Sequence, residues 1–156
     1  MAKKFSHLNE LGQANMVDVS DKPISAREAV AVAEIHMQPD TLAALKGGSL
    51  PKGDVLATAR IAGIQAAKQT HLLIPLCHPL PISKVKIDFE MKKDLIRITA
   101  TTRTTAQTGV EMESLTAASV AALTLFDMCK SADKTMFISG IEVLKKTGGK
   151  SDAKHH

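Results

Sequence analysis

Asp127 and Lys130 stand three residues apart in an otherwise apolar stretch, a spacing that puts both on one face of a helix. Such a pair reads two ways: an exposed ion pair worth little, or an acid/base pair whose protonation is tuned by partial burial. Lys52 is a cation in a different setting. It lies in a segment, 46–53, that holds three glycines and runs into Asp54, a good helix N-cap. Free backbone N–H groups, the helix dipole and the ammonium could together hold phosphate there; a capped turn with an exposed lysine is the plainer alternative. His78, in Pro75-Leu-Cys-His-Pro, is braced by prolines. That setting suits a proton carrier or phosphate contact near neutral pH, and equally a hydrogen-bonded structural histidine.

Two other constellations are poorer. Cys77, His78, Cys129 and His71 could form a zinc set, but no paired Cys-x-x-Cys or His-x-x-x-His spacing supports it. Gly148-Gly-Lys-Ser looks like the end of a phosphate-binding loop, yet Leu144 stands where the first glycine is needed and no helix can follow.

The element that must position the Asp/Lys pair is the stretch 108–134, which predicts one long helix. Leu115, Ala118, Ala122 and Leu125 recur at helical spacing, and Ala117, Ala118, Ala121 and Ala122 would let another backbone approach closely. Glu111 and Glu113 suit the positive end of that helix. Glu113 and Asp127 project near one face but roughly 21 Å apart, so they cannot touch one reacting atom from the same helix. They suit the two ends of a long ligand, or sites shared between subunits.

The remaining elements fall into place around it. Residues 27–37 read as a strand from β-branched residues spaced by two, and 39–46 as a short helix ended by Gly47-Gly48. A helix over 55–69 buries Val55, Ala59, Ala62 and Ala66, with Arg60 and Lys68 elsewhere on its surface. Three prolines between 72 and 81 forbid helix and central strand alike. Alternation over 83–89 and again over 96–101 gives two antiparallel strands with one solvated face, and a last strand covers 136–144. The order βαββαβ is the ferredoxin-like α+β arrangement, an antiparallel sheet with two long helices packed on one face. It occupies 23–146, between a flexible arm (1–22) and a flexible tail (147–156).

At 156 residues the chain is the size of one domain with a real core. The excess of Lys+Arg over Asp+Glu, 20 against 16, suits an anionic small molecule and is too slight to imply nucleic acid. Four Phe with no Trp or Tyr also weigh against a surface that stacks bases. No apolar run of membrane-spanning length and no secretory signal is expected, which places the chain in the cytoplasm with Cys77 and Cys129 as free buried thiols. His155 and His156 fit the end of a purification tag and carry no argument.

The ordered runs Met16-Val-Asp-Val-Ser, Lys52-Gly-Asp-Val-Leu-Ala-Thr-Ala-Arg-Ile-Ala-Gly, Ile74-Pro-Leu-Cys-His-Pro-Leu, Thr108-Gly-Val-Glu-Met-Glu-Ser-Leu-Thr and Asp127-Met-Cys-Lys together resemble the cyclic pyranopterin monophosphate synthase family, molybdenum cofactor biosynthesis protein C. The resemblance covers nearly the whole chain. It implies conversion of a cyclised dihydroguanosine triphosphate, made from GTP by an upstream radical enzyme, to cyclic pyranopterin monophosphate with release of pyrophosphate. It implies Asp127 as the principal catalytic residue, with Lys130 and Lys52 beside it. Leu76, Cys77, His78, Met112 and Glu113 would line the substrate site, and Arg27, Asp18 and Lys68 would contribute. It further implies a homohexamer, a trimer of dimers, with sites between subunits. No cofactor or metal of the protein's own is implied, any magnesium arriving with the triphosphate. Two readings of other classes stand beside it. One is a non-catalytic module binding nucleotide or RNA through Lys84, Lys86 and Arg97; the other is a metal-binding regulator.

Overall fold

The chain runs β1 (Ser25–His36), α1 (Pro39–Lys46), α2 (Val55–Lys68), α3 (Thr70–Leu73), β2 (Ile82–Met91), β3 (Leu95–Ala106), α4 (Glu111–Cys129), β4 (Phe137–Thr147) and β5 (Ala153–Lys154) in the computed structural model, which describes residues 6–150 and 152–154. The sheet order is β2-β3-β1-β4-β5 with every pairing antiparallel. Its first four strands and the two long helices, α2 and α4, are the expected ferredoxin-like βαββαβ unit. The parts of the arm and tail at 1–5, 151, 155 and 156 lie outside the described residues.

Small side chains set how closely the layers approach. In β1 the alanines, rather than the valines that signal the strand, face the helices: Ala29, Ala31, Ala33 and Ile35 are fully buried. They meet α4, whose Ala117, Ala118, Ala121 and Ala122 are likewise inaccessible. Helix α2 closes on α4 through Gly63, where an added Cβ would lie 2.9 Å from the Ala117 carbonyl and 2.8 Å from Ile87 Cδ1. A glycine inside a helix is unfavourable by about 0.5–1 kcal/mol relative to alanine, and this contact explains its presence. Packing then fixes direction. Lys52, just before α2, reaches the end of α4, whereas Cys77, beyond α2, reaches its beginning, so the two helices run antiparallel.

Several expectations are corrected. The long helix spans 111–129 rather than 108–134, because the chain turns after Cys129, whose carbonyl accepts from Ala132 N and Asp133 N. Leu72 and Leu73 belong to the helical turn α3, held by Thr70 Oγ1 on the carbonyls of Ala66 and Ala67; from Ile74 onward the proline segment is non-helical. Ala62 is half-buried, and Gly63 takes the packed position beside it. A fifth strand, β5, pairs with the end of β4 inside the tail. Glu111–Cys129 is also long and apolar enough to cross a membrane by length and composition, but half of it is buried within the domain as the core helix. Finally, Cys77 is half-buried rather than buried, and both thiols are free.

Candidate functional site

Asp127 is the point at which separate parts of the chain meet. It lies on the exposed side of the last turns of α4, between Leu125 and Met128, which are buried and fix the helix against the sheet. Lys130, the C-cap residue, brings Nζ to 2.7 Å from Asp127 Oδ1. Lys52 arrives from a distant segment and places Nζ 3.0 Å from Oδ2. The same ammonium donates to the Asp127 backbone carbonyl at 3.1 Å, one of the last α4 carbonyls, which have no partner within the helix. Each carboxylate oxygen therefore has its own lysine. Lys130 first, and Lys52 second, hold the Asp127 carboxyl below the usual carboxylate range. All three side chains are about half exposed or more, so a substrate can reach them.

The loop that delivers Lys52 is anchored at both sides. Leu50 is buried in the core two residues earlier, Gly53 adopts φ +83°, and the Asp54 side chain accepts from Ala57 N at 3.0 Å to cap α2. The expected N-cap is thus occupied by Asp54 itself, and the Lys52 ammonium points toward Asp127.

A second group of expected residues gathers at the other end of α4. Leu76, Cys77, His78, Met112 and Glu113 line one cavity of about 380 Å³. Glu113 is 3% exposed and its Oε2 has no partner among the described residues, so the residue is far more than a dipole complement. Burial raises its pKa above the ordinary carboxylate value. Cys77 Sγ donates to Glu113 Oε1 at 3.6 Å, and burial, with the Glu113 charge second, pushes the thiol up to about 11. His78 Nε2 lies 2.8 Å from the Val17 carbonyl; because a carbonyl only accepts, Nε2 carries the proton and Nδ1 is left to the surroundings. Asp18 follows directly, its carboxyl held low by the Ser20 hydroxyl and N–H, with a smaller effect from His78.

Arg27 lies in a neighbouring cavity of about 400 Å³. Its guanidinium is fixed by donation to the carbonyls of Ala106 at 3.0 Å and Gln107 at 3.1 Å. Thr108, Gly109 and Glu111 line both cavities, so the two form one continuous region around the start of α4. Lys22, Lys146 and Lys150 add cations that the chain's spacing does not reveal. Lys146 in particular reaches the region only because β4 pairs Lys146 with Ala29 on β1. Lys68, by contrast, ends α2 on the exposed surface and joins neither cavity.

The catalytic-type trio and the cavity region are separated along α4 by roughly 21 Å, counting from Asp127 to Glu113. The zinc alternative fails for the same reason: Cys77 packs at the start of α4 and Cys129 is buried at its end. The basic strand face is also compensated. Lys86 pairs with Asp88 at 2.9 Å, Arg97 approaches Glu34 at 3.9 Å, and Arg103 and Lys145 converge on Glu28. A face so interleaved with carboxylates is a poor nucleic-acid surface.

A family profile described as the MoaC family matches residues 16–149. The cyclic pyranopterin monophosphate synthase of Nostoc sp. (strain PCC 7120 / SAG 25.82 / UTEX 2576) is 58% identical over 149 residues, 94% of this chain and 89% of that protein. The cyclic pyranopterin monophosphate synthase of Desulfatibacillum aliphaticivorans is 57% identical over 149 residues, 94% of each. The matched segment includes Lys52, Asp127, Lys130 and the lining of both cavities except His7 and Lys150.

Proposed function

The chain belongs to the MoaC family, and on that premise we propose that it converts 3',8-cyclo-7,8-dihydro-GTP to cyclic pyranopterin monophosphate with release of pyrophosphate, a lyase step in molybdenum cofactor biosynthesis. The observation that carries this reading is the pairing of Asp127 with one lysine on each oxygen, within a chain so closely similar to named synthases.

The chemistry asks for proton transfers and for cations. Opening a purine ring and closing pterin and pyran rings moves protons on and off nitrogen and oxygen. Asp127, kept ionised by its neighbours, is the base; Lys130 and Lys52 return protons and stabilise negative charge as it develops. Leu76, Cys77, His78, Met112 and Glu113 cradle the base and sugar portion. Glu113 accepts the Cys77 thiol at Oε1 and presents its second oxygen, Oε2, to the bound substrate. Arg27 neutralises the triphosphate from its cavity, Lys68 stands outside it, and the Val17 carbonyl beside Asp18 orients His78. No cofactor of the protein's own takes part, and magnesium travels with the triphosphate.

The two ends of α4 belong to one reaction when subunits share a site. The separation of trio from cavity supports a site in which one subunit's Asp127 end faces the cavity of its neighbour, and the family reading makes that assembly a homohexamer, a trimer of dimers. The substrate comes from an upstream radical enzyme, and free thiols suit a cytoplasmic setting. Incubating the purified protein with the cyclised triphosphate should release pyrophosphate in proportion to pterin formed. Tight, salt-dependent RNA binding with no turnover would favour the binding module instead.

A further inference from the structure

Asp133 is a buried carboxylate outside the proposed reacting groups, with 4% of its surface exposed. Its two oxygens serve different segments. Oδ1 accepts from Thr135 N at 2.8 Å and Thr135 Oγ1 at 2.7 Å, which closes the turn after α4. Oδ2 accepts from Gln38 N at 2.8 Å and from the buried Thr41 Oγ1 at 3.1 Å, at the start of α1. Burial pushes its pKa up, but these hydrogen bonds outweigh that effect and hold it below the usual range.

Each segment leads directly to the proposed site. On one side, Asp133 N bonds the carbonyl of buried Cys129, so the segment from Asp127 through Lys130 is clamped at its far end. On the other, α1 is seated by buried Leu42 and Leu45, and its exit is tied by Gly47 N on Ala43 O, Ser49 N on Ala44 O and Gly53 N on Leu50 O. Lys52 stands at the end of that series. The trio itself is half exposed, and exposed ion pairs contribute too little to fix two flexible lysines in one geometry. Backbone placement must supply the precision that a reacting constellation needs.

We infer that Asp133 is a positioning residue, tying the end of α4 to the start of α1 so that Lys52 meets Asp127 and Lys130 in register. This rests on the reading of those three as the reacting groups. Asparagine at this position keeps the shape but presents an amide donor to a backbone N–H, that of Gln38 or of Thr135, whichever way it turns. The experiment compares wild type, Asp133→Asn and Thr41→Val, the last removing only the hydroxyl on the α1 side. Two readings are taken: kcat and KM per folded site, and the titration of the Asp127 carboxyl by carbon NMR, where Lys52 and Lys130 are the charged groups facing it.

Asp133→Asn should lower kcat about tenfold or more with KM within about threefold, the pattern of lost positioning rather than lost binding. Its Asp127 midpoint should move up toward the ordinary carboxylate value, and Thr41→Val should move both readings the same way by less. A purely structural Asp133 would lower melting temperature while leaving both readings unchanged, which overturns the inference. If Asp133→Asn does not fold, Thr41→Val decides by the same readings. An inactive wild type would overturn the functional reading alone, since the titration reports the geometry without turnover.

Discussion

Lys52 Nζ lies 3.0 Å from Asp127 Oδ2 and 3.1 Å from the backbone carbonyl of the same residue, so one ammonium holds both the carboxylate and an open end of α4. Lys52→Met keeps the aliphatic stem and removes both contacts. Turnover should fall by about 10²-fold or more, the usual scale for a positioned proton-transfer group. The Asp127 carboxyl should titrate at higher pH than in wild type, because one of the two cations holding it low is gone. Its depressed pKa favours the folded state above the ordinary carboxylate range and that contribution is lost as pH falls through the folded value, so the variant should show a weaker loss in acid. A near-normal rate with an unmoved titration would remove Lys52 from the reacting group.

Cys77 should remain a thiol through neutral pH. Iodoacetamide labelling followed by mass spectrometry should rise with a midpoint well above an ordinary cysteine, near the value of about 11. Glu113→Gln removes the second cause of that shift and should speed labelling at pH 8 several-fold, about the effect of one neighbouring charge. The raised pKa of Glu113 itself works against the folded state. The unfolded chain loses its proton first, so stability falls as pH rises from the ordinary carboxylate range to the folded value, and Glu113→Gln should gain on wild type across that interval. Labelling as fast as a free thiol in wild type would contradict the half-buried Cys77–Glu113 contact.

How much of this was legible before folding follows from the kind of signal each residue carries. Asp54 announced the start of α2, and Gly47-Gly48 the end of α1, because capping and chain reversal are local chemistry. The separation of Glu113 from Asp127 followed from helical rise alone, although the helix itself is shorter at both ends than its pattern suggested. Meeting of Lys52 with Asp127 did not, since 75 residues separate them and only the antiparallel packing of α2 on α4 joins them. The same holds for Lys146, carried to the Arg27 cavity by strand pairing, and for Asp133, whose partners at Gln38 and Thr41 lie on another element. Glu113 read locally as a complement to the helix dipole, because its place in the first turn gives no sign of its burial. Family resemblance named the reacting residues that local spacing left between two readings.

Gly63 fixes the antiparallel helix pair that brings Lys52 to Asp127. Gly63→Val places branches against the Ala117 carbonyl, which is backbone and cannot move aside. It should destabilise the fold by about 1–3 kcal/mol, the usual cost of overpacking a close contact. Urea denaturation of wild type and variant reads this directly; equal midpoints would mean that the helices are not in close contact there.

Sharing of a site between subunits predicts complementation. Lys52→Met and Glu113→Gln damage opposite ends of α4, so each homo-oligomer should be nearly inactive while a remixed oligomer contains some intact sites. Activity should reappear on mixing after dissociation and reassembly. No recovery in mixtures shown to be co-assembled would mean that both ends act from one subunit.

Identification of the product with wild type and Asp127→Asn side by side tests the central claim most directly. Wild type should convert the cyclised triphosphate to cyclic pyranopterin monophosphate with one pyrophosphate released for each, and Asp127→Asn, folded and with its lysines in place, should form neither. Failure of the wild type to form the pterin where a synthase such as that of Nostoc does so, or normal conversion by Asp127→Asn, would contradict the account.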